Sequence, residues 1–154
     1  MTGALDTVPI ALCAAFPSDA ATLAAIHARC FARGWDEADM AKFLGVPGCL
    51  VLMASTQVDV PPQGFLIARA VADEAEVLTL CVLPAHRRQG LARALLAALT
   101  EDLRRLGGKR LFLEVEEGNE AALQLHRSFG AELVGRRAGY YEHGANAAIF
   151  SLAL

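Results

Sequence analysis

The stretch from Pro84 to Arg93 holds the residue types best suited to chemistry. A strand rich in Val and Leu stops at Pro84, and Arg87-Arg88-Gln89-Gly90-Leu91-Ala92 opens a leucine-striped helix. The first turn of a helix leaves backbone N–H groups without intrahelical acceptors, and the positive end of the helix dipole lies there. Such a place takes an anion. Gly90 and Ala92 leave room for a phosphate to approach the backbone, and Arg87, Arg88 and Arg93 add charge where a pyrophosphate would lie. The plain alternative is a solvated basic loop. It is not a Walker loop, because G-x-x-x-x-G-K-S/T is absent, and not a dinucleotide fingerprint, because G-x-G-x-x-G is absent.

A second group of titratable residues lies downstream. Arg110 to Val115 alternates as a strand, with Leu111, Leu113 and Val115 on one side and Arg110, Phe112 and Glu114 on the other. A carboxylate beside Phe112 loses hydration and becomes a better base. The alternatives are an ion pair with Arg110 or a solvated edge position. His126 falls in a helix capped by Asn119, where an imidazole can act as acid or base or sit hydrogen-bonded in the core. His27 shares the apolar face of the first helix and reads as a core histidine. His86 flanks the anion loop, and His143 carries no signal alone. No two histidines stand at i, i+4, and Cys13, Cys30, Cys49 and Cys81 contain no C-x-x-C, so no metal site is expected. The four thiols read as reduced and mostly buried.

The elements that must position these residues follow from periodicity. Val8 to Ala15 reads as a strand, and Ser18 to Phe31 as a helix with Ser18 as its cap. Asp36 caps a short helix that Gly45 and Pro47 end. Cys49 to Ala54, Phe65 to Val71 and Glu76 to Leu83 read as an antiparallel meander. Leu91, Leu95, Leu99, Leu103 and Leu106 stripe a long helix that Gly107-Gly108 closes. The Arg110 strand comes next, then the Asn119 helix through Phe129, ended by Gly130, and two strands, Ala131 to Gly135 and Ala147 to Leu154. The order β-α-α-β-β-β-α-β-α-β-β is a mixed α/β (α+β) sheet with helices on its faces.

The chain has 154 residues, 55% of them apolar and 20% charged, which suits a single domain over 1–154 with a sizeable core. Its 14 basic and 17 acidic residues give a net charge of -3, against a nucleic-acid binder held by bulk charge. Met1 to Ala15 lacks the basic start of a secretory signal, and no stretch reaches the ~18 apolar residues of a membrane span. A cytoplasmic protein without a membrane or nucleic-acid partner is expected.

The strand, Arg87-x-x-Gly90-x-Ala92 and the long helix together resemble the acetyl-CoA pyrophosphate loop, (Gln/Arg)-x-x-Gly-x-(Gly/Ala), of the GCN-five-related N-acetyltransferases (GNAT). The likeness continues through Leu113-Glu114-Val115, Asn119, Leu123 to Gly130, Arg136-Arg137 and Tyr140-Tyr141, and upstream through Phe31 and Trp35-Asp36-Glu37. There the chain is similar to the RimI-like branch, the ribosomal-protein alanine N-acetyltransferases. The resemblance implies the GNAT fold, a mostly antiparallel central sheet flanked by helices, with splayed strands at the acetyl-CoA site.

It also implies roles. Leu80, Cys81 and Val82 would offer backbone groups to the pantetheine arm, and one N–H would steady the oxyanion. Arg87, Arg88, Gln89, Gly90, Leu91, Ala92 and Arg93 would hold the pyrophosphate, with Asn119 as a further contact. Glu114 would be the general base. His126 stands where the family carries an acidic tyrosine, so either His126 acts as the general acid or Tyr141 or Tyr140 does. Trp35, Arg137 and Tyr140 would border the acceptor channel. Ala138-Gly139 lengthens the usual spacing, and Asn146 replaces an expected acidic residue. The implied activity is direct acetyl transfer in a ternary complex to the N-terminal alanine of a small-subunit ribosomal protein, with Cys81 contributing backbone and not a nucleophile. The alternatives are a small-molecule amine as acceptor, or a non-catalytic CoA-binding interaction module.

Overall fold

Period-2 and period-3.6 stretches fall into strands and helices close to the expected places. A computed structural model describes residues 10–141 and 144–154; Val8, Pro9 and His143 lie outside the described residues. In chain order the elements are β1 (Ala11–Ala14), α1 (Ala20–Cys30), α2 (Glu37–Gly45), β2 (Cys49–Ser55), β3 (Gly64–Val71), β4 (Glu74–Val82), α3 (Leu91–Arg105), β5 (Arg110–Glu116), α4 (Glu120–Ser128), β6 (Glu132–Arg137) and β7 (Ala147–Ala153). Seven strands hydrogen-bond in the order β1-β2-β3-β4-β5-β7-β6. The β4–β5 pair is parallel and the β1–β2, β5–β7 and β6–β7 pairs are antiparallel. This is the mixed, mostly antiparallel α/β sheet of the GNAT fold. The parallel pair needs a long crossover, and α3 supplies it.

Two compact units divide these elements. One holds the residues up to Ile67 together with Thr79–Leu99, and the other holds Ala68–Leu78 with Thr100–Leu154.

In the first unit, Ala11 to Ala14 of β1 pair with Ser55 to Leu52 of β2. Helix α1 does not start at Ser18. Pro17–Asp19 form a 3-10 turn, and the Asp19 carboxylate accepts from the Phe16 N–H, so Asp19 takes the position expected of Ser18. Helix α2 starts as expected, with the Asp36 Oδ1 accepting from the Asp39 N–H at 2.9 Å and the Asp39 carboxylate accepting from the Asp36 N–H in return. Leu23, Ile26, Met40, Phe65, Leu66, Ile67, Leu91, Leu95, Leu96 and Leu99 make the core. Each such side chain contributes about 1.5–3 kcal/mol through burial. Gly64 is fixed by crowding: a Cβ there would meet the Cys81 carbonyl oxygen at 2.8 Å.

In the second unit, β5 alternates as expected, with Leu111, Leu113 and Val115 buried and Glu114 turned away from them. It pairs with all seven residues of β7, and with β4 at Glu74–Arg110, Ala75–Leu111 and Glu76–Phe112. The leucine stripe ends one turn early: Leu103 is buried, but Leu106 is 69% exposed because α3 stops at Arg105. Gly107 (φ +84°) closes that helix, with the Gly108 N–H reaching back to the Leu103 carbonyl. Asn119 caps α4, its Oδ1 accepting from the Ala122 N–H at 3.2 Å. Strand β6 is an edge strand with a bulge between Leu133 and Gly135, a common way to blunt an open edge.

Candidate functional site

The sequence-predicted residues fall into two groups, one in each unit. The first unit contains the end of β4 and the loop that follows. Leu80 and Val82 are half-buried and Cys81 is buried. After Val82 the chain makes a 3-10 turn at Pro84–His86, and Arg87, Arg88, Gln89 and Gly90 are exposed. Arg88 (φ +63°) and Gly90 (φ +85°) both adopt the left-handed region. For arginine this is an uncommon conformation costing on the order of 1 kcal/mol, and such outliers gather at ligand-binding turns. Arg87 before them is extended (φ -73°, ψ 159°), so the chain passes from extended to left-handed backbone as it enters the turn. The first backbone bond across this helix start runs from the Ala94 N–H to the Gly90 carbonyl at 3.0 Å. The N–H groups of Leu91, Ala92 and Arg93 belong to the first turn, where the helix itself offers no acceptor.

Gly90 has a reason beyond the space expected for a phosphate. A Cβ there would meet only Ile10 Cδ1, at 3.5 Å, so the backbone conformation and not crowding demands glycine. Arg87 folds back, its Nε donating to the Val82 carbonyl at 3.1 Å. This arginine therefore braces the end of β4 against the loop.

Sequence reasoning missed Cys30. It ends α1 and donates through its thiol to the same Val82 carbonyl at 3.5 Å. The signal was not visible, because Cys30 and Val82 stand 52 positions apart in the chain. Trp35 is embedded in an aromatic stack: its ring lies 4.7 Å from that of His27 at 10°, and 4.9 Å from Phe43. His27 is the core histidine expected, 3% exposed, with Nδ1 accepting from the Trp35 N–H at 2.9 Å. Burial pulls its pKa down.

The second unit brings Glu114, Arg137, Tyr140 and Tyr141 together. Glu114 does not pair with Arg110, which bonds to the Ser151 hydroxyl. Its Oε1 instead lies 3.4 Å from Arg137 Nη1, and 31% of its side chain is exposed. The dehydrated setting expected beside Phe112 is therefore an ion pair open to solvent. The Arg137 guanidinium sits 4.9 Å over the Tyr140 ring, and Tyr140 meets Tyr141 edge-to-face at 5.1 Å. The Glu114 charge pushes the Tyr140 pKa up; burial, then Glu114, pushes Tyr141 up. Both phenols hold their protons at neutral pH. Asn146, found where an acidic residue was expected, closes the loop: its Oδ1 accepts from the Gly139 N–H at 2.9 Å, and its carbonyl accepts from the Glu117 N–H. Arg136 makes a two-pronged ion pair with Glu117.

His126 differs from expectation. It is 5% exposed, packs 6.2 Å from the Phe150 ring, and its Nδ1 has no hydrogen-bond partner among the described residues. Burial pulls its pKa down to about 4. The charged imidazolium that would steady a thiolate is thus absent near pH 7. Asn119 spends its Oδ1 on the α4 cap.

The profile of the Acetyltransferase (GNAT) family matches residues 20–131. The chain is 34% identical over 116 residues to the ribosomal protein bS18 alanine N-acetyltransferase of Salmonella typhimurium, covering 75% of this chain and 76% of that one. It is 42% identical over 77 residues to the enzyme of the same name from Escherichia coli, covering 50% of this chain and 52% of the relative, so that match spans about half the relative's length. The crystal structure of the ribosomal-protein-S18-alanine N-acetyltransferase from Escherichia coli superposes with a TM-score of 0.85 at 30% identity, over 94% of both chains.

Proposed function

The chain belongs to the acetyltransferase (GNAT) family, and from that premise we propose that it is an acetyl-CoA-dependent N-acetyltransferase acting on the N-terminal alanine of a small-subunit ribosomal protein. We read residues 1–154 as one catalytic domain working in the cytoplasm, on a peptide acceptor and without nucleic acid or membrane. Among the described residues no helix is long and apolar enough to cross a membrane. The observation that carries the donor half is the Arg87–Gly90 turn, whose two left-handed residues deliver N–H groups and positive charge at the start of α3. The names of the relatives support the acceptor half.

Acetyl-CoA supplies the activated acyl group. The N–H groups of Leu91, Ala92 and Arg93, with Arg88 and Gln89, hold its pyrophosphate, and Leu80, Cys81 and Val82 align its arm through the backbone. Glu114 takes the proton of the acceptor ammonium at Oε1, since only the free amine is nucleophilic. Arg137 orients that carboxylate.

A proton must also reach the departing thiolate. Protonating His126, at about 4, costs about 4 kcal/mol at pH 7. A tyrosine already holds its proton, and transfer to a thiolate of ordinary basicity costs about 2 kcal/mol before its upward push. Tyr141 is therefore the acid, with Tyr140 beside it, and His126 is a packed core residue.

The test is mass spectrometry of acetyl transfer to two peptides in one tube. One is the alanine-led N-terminus of the ribosomal protein; the other is the same peptide with a blocked α-amine and a free lysine. Acetylation of the free α-amine alone is expected. Transfer to neither, with acetyl-CoA still bound, overturns the peptide acceptor and directs the search to small amines.

A further inference from the structure

We propose that Glu117 is a positioning residue, which acts through Arg136 to fix the loop that carries Tyr140 and Tyr141 beside Glu114. The effect on turnover rests on the proposed function, whereas the brace itself does not.

Strand β7 lies between β5 and β6, so a side chain of β6 must cross β7 to meet β5. Two arginines do so at the end of β6. In the register Ala147 stands between Arg137 and Glu116, and Ala148 stands between Arg136 and Val115. Both alanines are buried and small, which leaves a low path over β7 for a long side chain. Successive strand residues face opposite sides of a sheet, so Arg137 crosses on one face and Arg136 on the other. Arg137 reaches the Glu114 carboxylate at 3.4 Å. Arg136 donates through Nε and Nη2 to the two Glu117 carboxylate oxygens, the second at 3.2 Å. The end of β6 is thus gripped on both faces, by one carboxylate from β5 and one from the turn that follows it.

Glu117 holds the other limb of the loop as well. Its N–H donates to the Asn146 carbonyl at 3.0 Å, and the Asn146 Oδ1 accepts from the Gly139 N–H at 2.9 Å. Inside these ties the Tyr141 N–H donates to the Ala145 carbonyl at 3.2 Å, and the Tyr141 carbonyl accepts from the Gly144 N–H at 2.9 Å. One residue therefore anchors the entry and the exit of the loop, and the tyrosine main chain is fixed between them. The Arg136 and Glu117 side chains are 60% and 37% exposed, and an ion pair so exposed adds little to stability. What a two-pronged guanidinium–carboxylate pair does supply is direction, because its planar fork fixes the angle of approach. Its loss should displace the tyrosines far more than it unfolds the chain. A reacting group misplaced by about 1 Å costs up to about 10²-fold in rate.

The chain has two tyrosines, and both lie in this loop, so the ring signals of 13C-labelled tyrosine in NMR report on it alone. The wild type should show two separate sets, displaced from free tyrosine by the edge-to-face contact of the rings. Glu117→Gln and Arg136→Gln should each move both sets toward free tyrosine with the melting temperature nearly unchanged. In each, kcat for the alanine-led peptide should fall about tenfold or more, while acetyl-CoA affinity in calorimetry stays within twofold. The exchanged pair, Glu117→Arg with Arg136→Glu, should recover the tyrosine signals and most of kcat. Unchanged tyrosine signals in the single variants overturn the brace. Displaced signals with an unchanged kcat overturn the positioning role, and so does an exchanged pair no better than the single variants. Where one single variant fails to fold, the other removes the same ion pair and decides alone. A wild type that binds acetyl-CoA but acetylates no peptide sinks the proposed function, and the tyrosine signals still decide the brace.

Discussion

Glu114 Oε1 lies 3.4 Å from Arg137 Nη1, and the same guanidinium sits 4.9 Å over the Tyr140 ring. One cation thus orders both a carboxylate and a phenol. A base held this way is aimed, yet with 31% of its side chain exposed it remains open to an acceptor amine. Glu114→Gln keeps the shape and removes the proton acceptor. Turnover should fall about 10²- to 10⁴-fold while acetyl-CoA affinity in calorimetry stays within twofold. An unchanged turnover across pH 6 to 9 would end the base assignment.

His126 gives a prediction about stability as well as rate. Its pKa is pulled down by burial from 6.5 to about 4, so the unfolded chain binds this proton more readily than the folded one. The stabilisation is fully present above pH 6.5 and is lost as pH falls toward 4, by about 3 kcal/mol. His27, also pulled down by burial, adds a loss of the same sign. His126→Phe removes the larger contribution and the unpartnered Nδ1 together. Its urea midpoint should change less between pH 7 and pH 4.5 than that of the wild type, and turnover at pH 7 should stay within about threefold. A turnover loss of 10²-fold would return the acid role to His126.

The sequence carried the anion loop and the carboxylate strand because both are local patterns. Arg87-x-x-Gly90-x-Ala92 sits at a strand-to-helix junction, and the alternation of β5 decides by itself which way Glu114 points. What failed was long-range or terminal. Along β5 the sequence offers Glu114 only Arg110 as an alternative partner, beside a solvated edge position, whereas Arg137 from β6 reaches it and Arg110 goes to Ser151. Alternation gives a face but not who stands across it. The Cys30–Val82 hydrogen bond joins α1 to β4 and has no signature in either segment. Helix ends are displaced by a residue, with Asp19 and not Ser18 before α1 and α3 stopping short of Leu106, where a 3-10 turn or an early glycine decides the boundary.

The two tyrosines separate by their surroundings. Tyr141 is half-buried and is pushed up first by burial, while Tyr140 is more open and is pushed up first by the Glu114 charge. If Tyr141 is the acid, Tyr141→Phe should lower turnover about 10²-fold or more with little change in the acetyl-CoA dissociation constant. Tyr140→Phe should mainly raise KM for the peptide, because it loses a contact beside Arg137. The reverse pattern in steady-state kinetics would exchange the two roles.

Stability should respond in opposite directions at position 90 and position 88, while cofactor affinity falls at both. Gly90 at φ +85° has open space, with only Ile10 Cδ1 at 3.5 Å from an added Cβ, so Gly90→Val fails through backbone strain. A β-branched residue resists this conformation most, and the loop must rearrange its N–H groups to relieve the strain. Acetyl-CoA affinity should fall about tenfold or more, with thermal stability down by about 1–2 kcal/mol. Arg88 at φ +63° is strained already, so Arg88→Gly should stabilise the folded chain by up to about 1 kcal/mol, less the entropy that glycine adds to the unfolded state. It also removes a positive charge, so cofactor affinity should fall even as the melting temperature holds or rises. That split is the informative result: stability and affinity moving apart shows a loop whose strain is kept for anion binding. A parallel loss of both in Arg88→Gly would make the left-handed arginine a folding requirement and remove its strain from the account of cofactor binding.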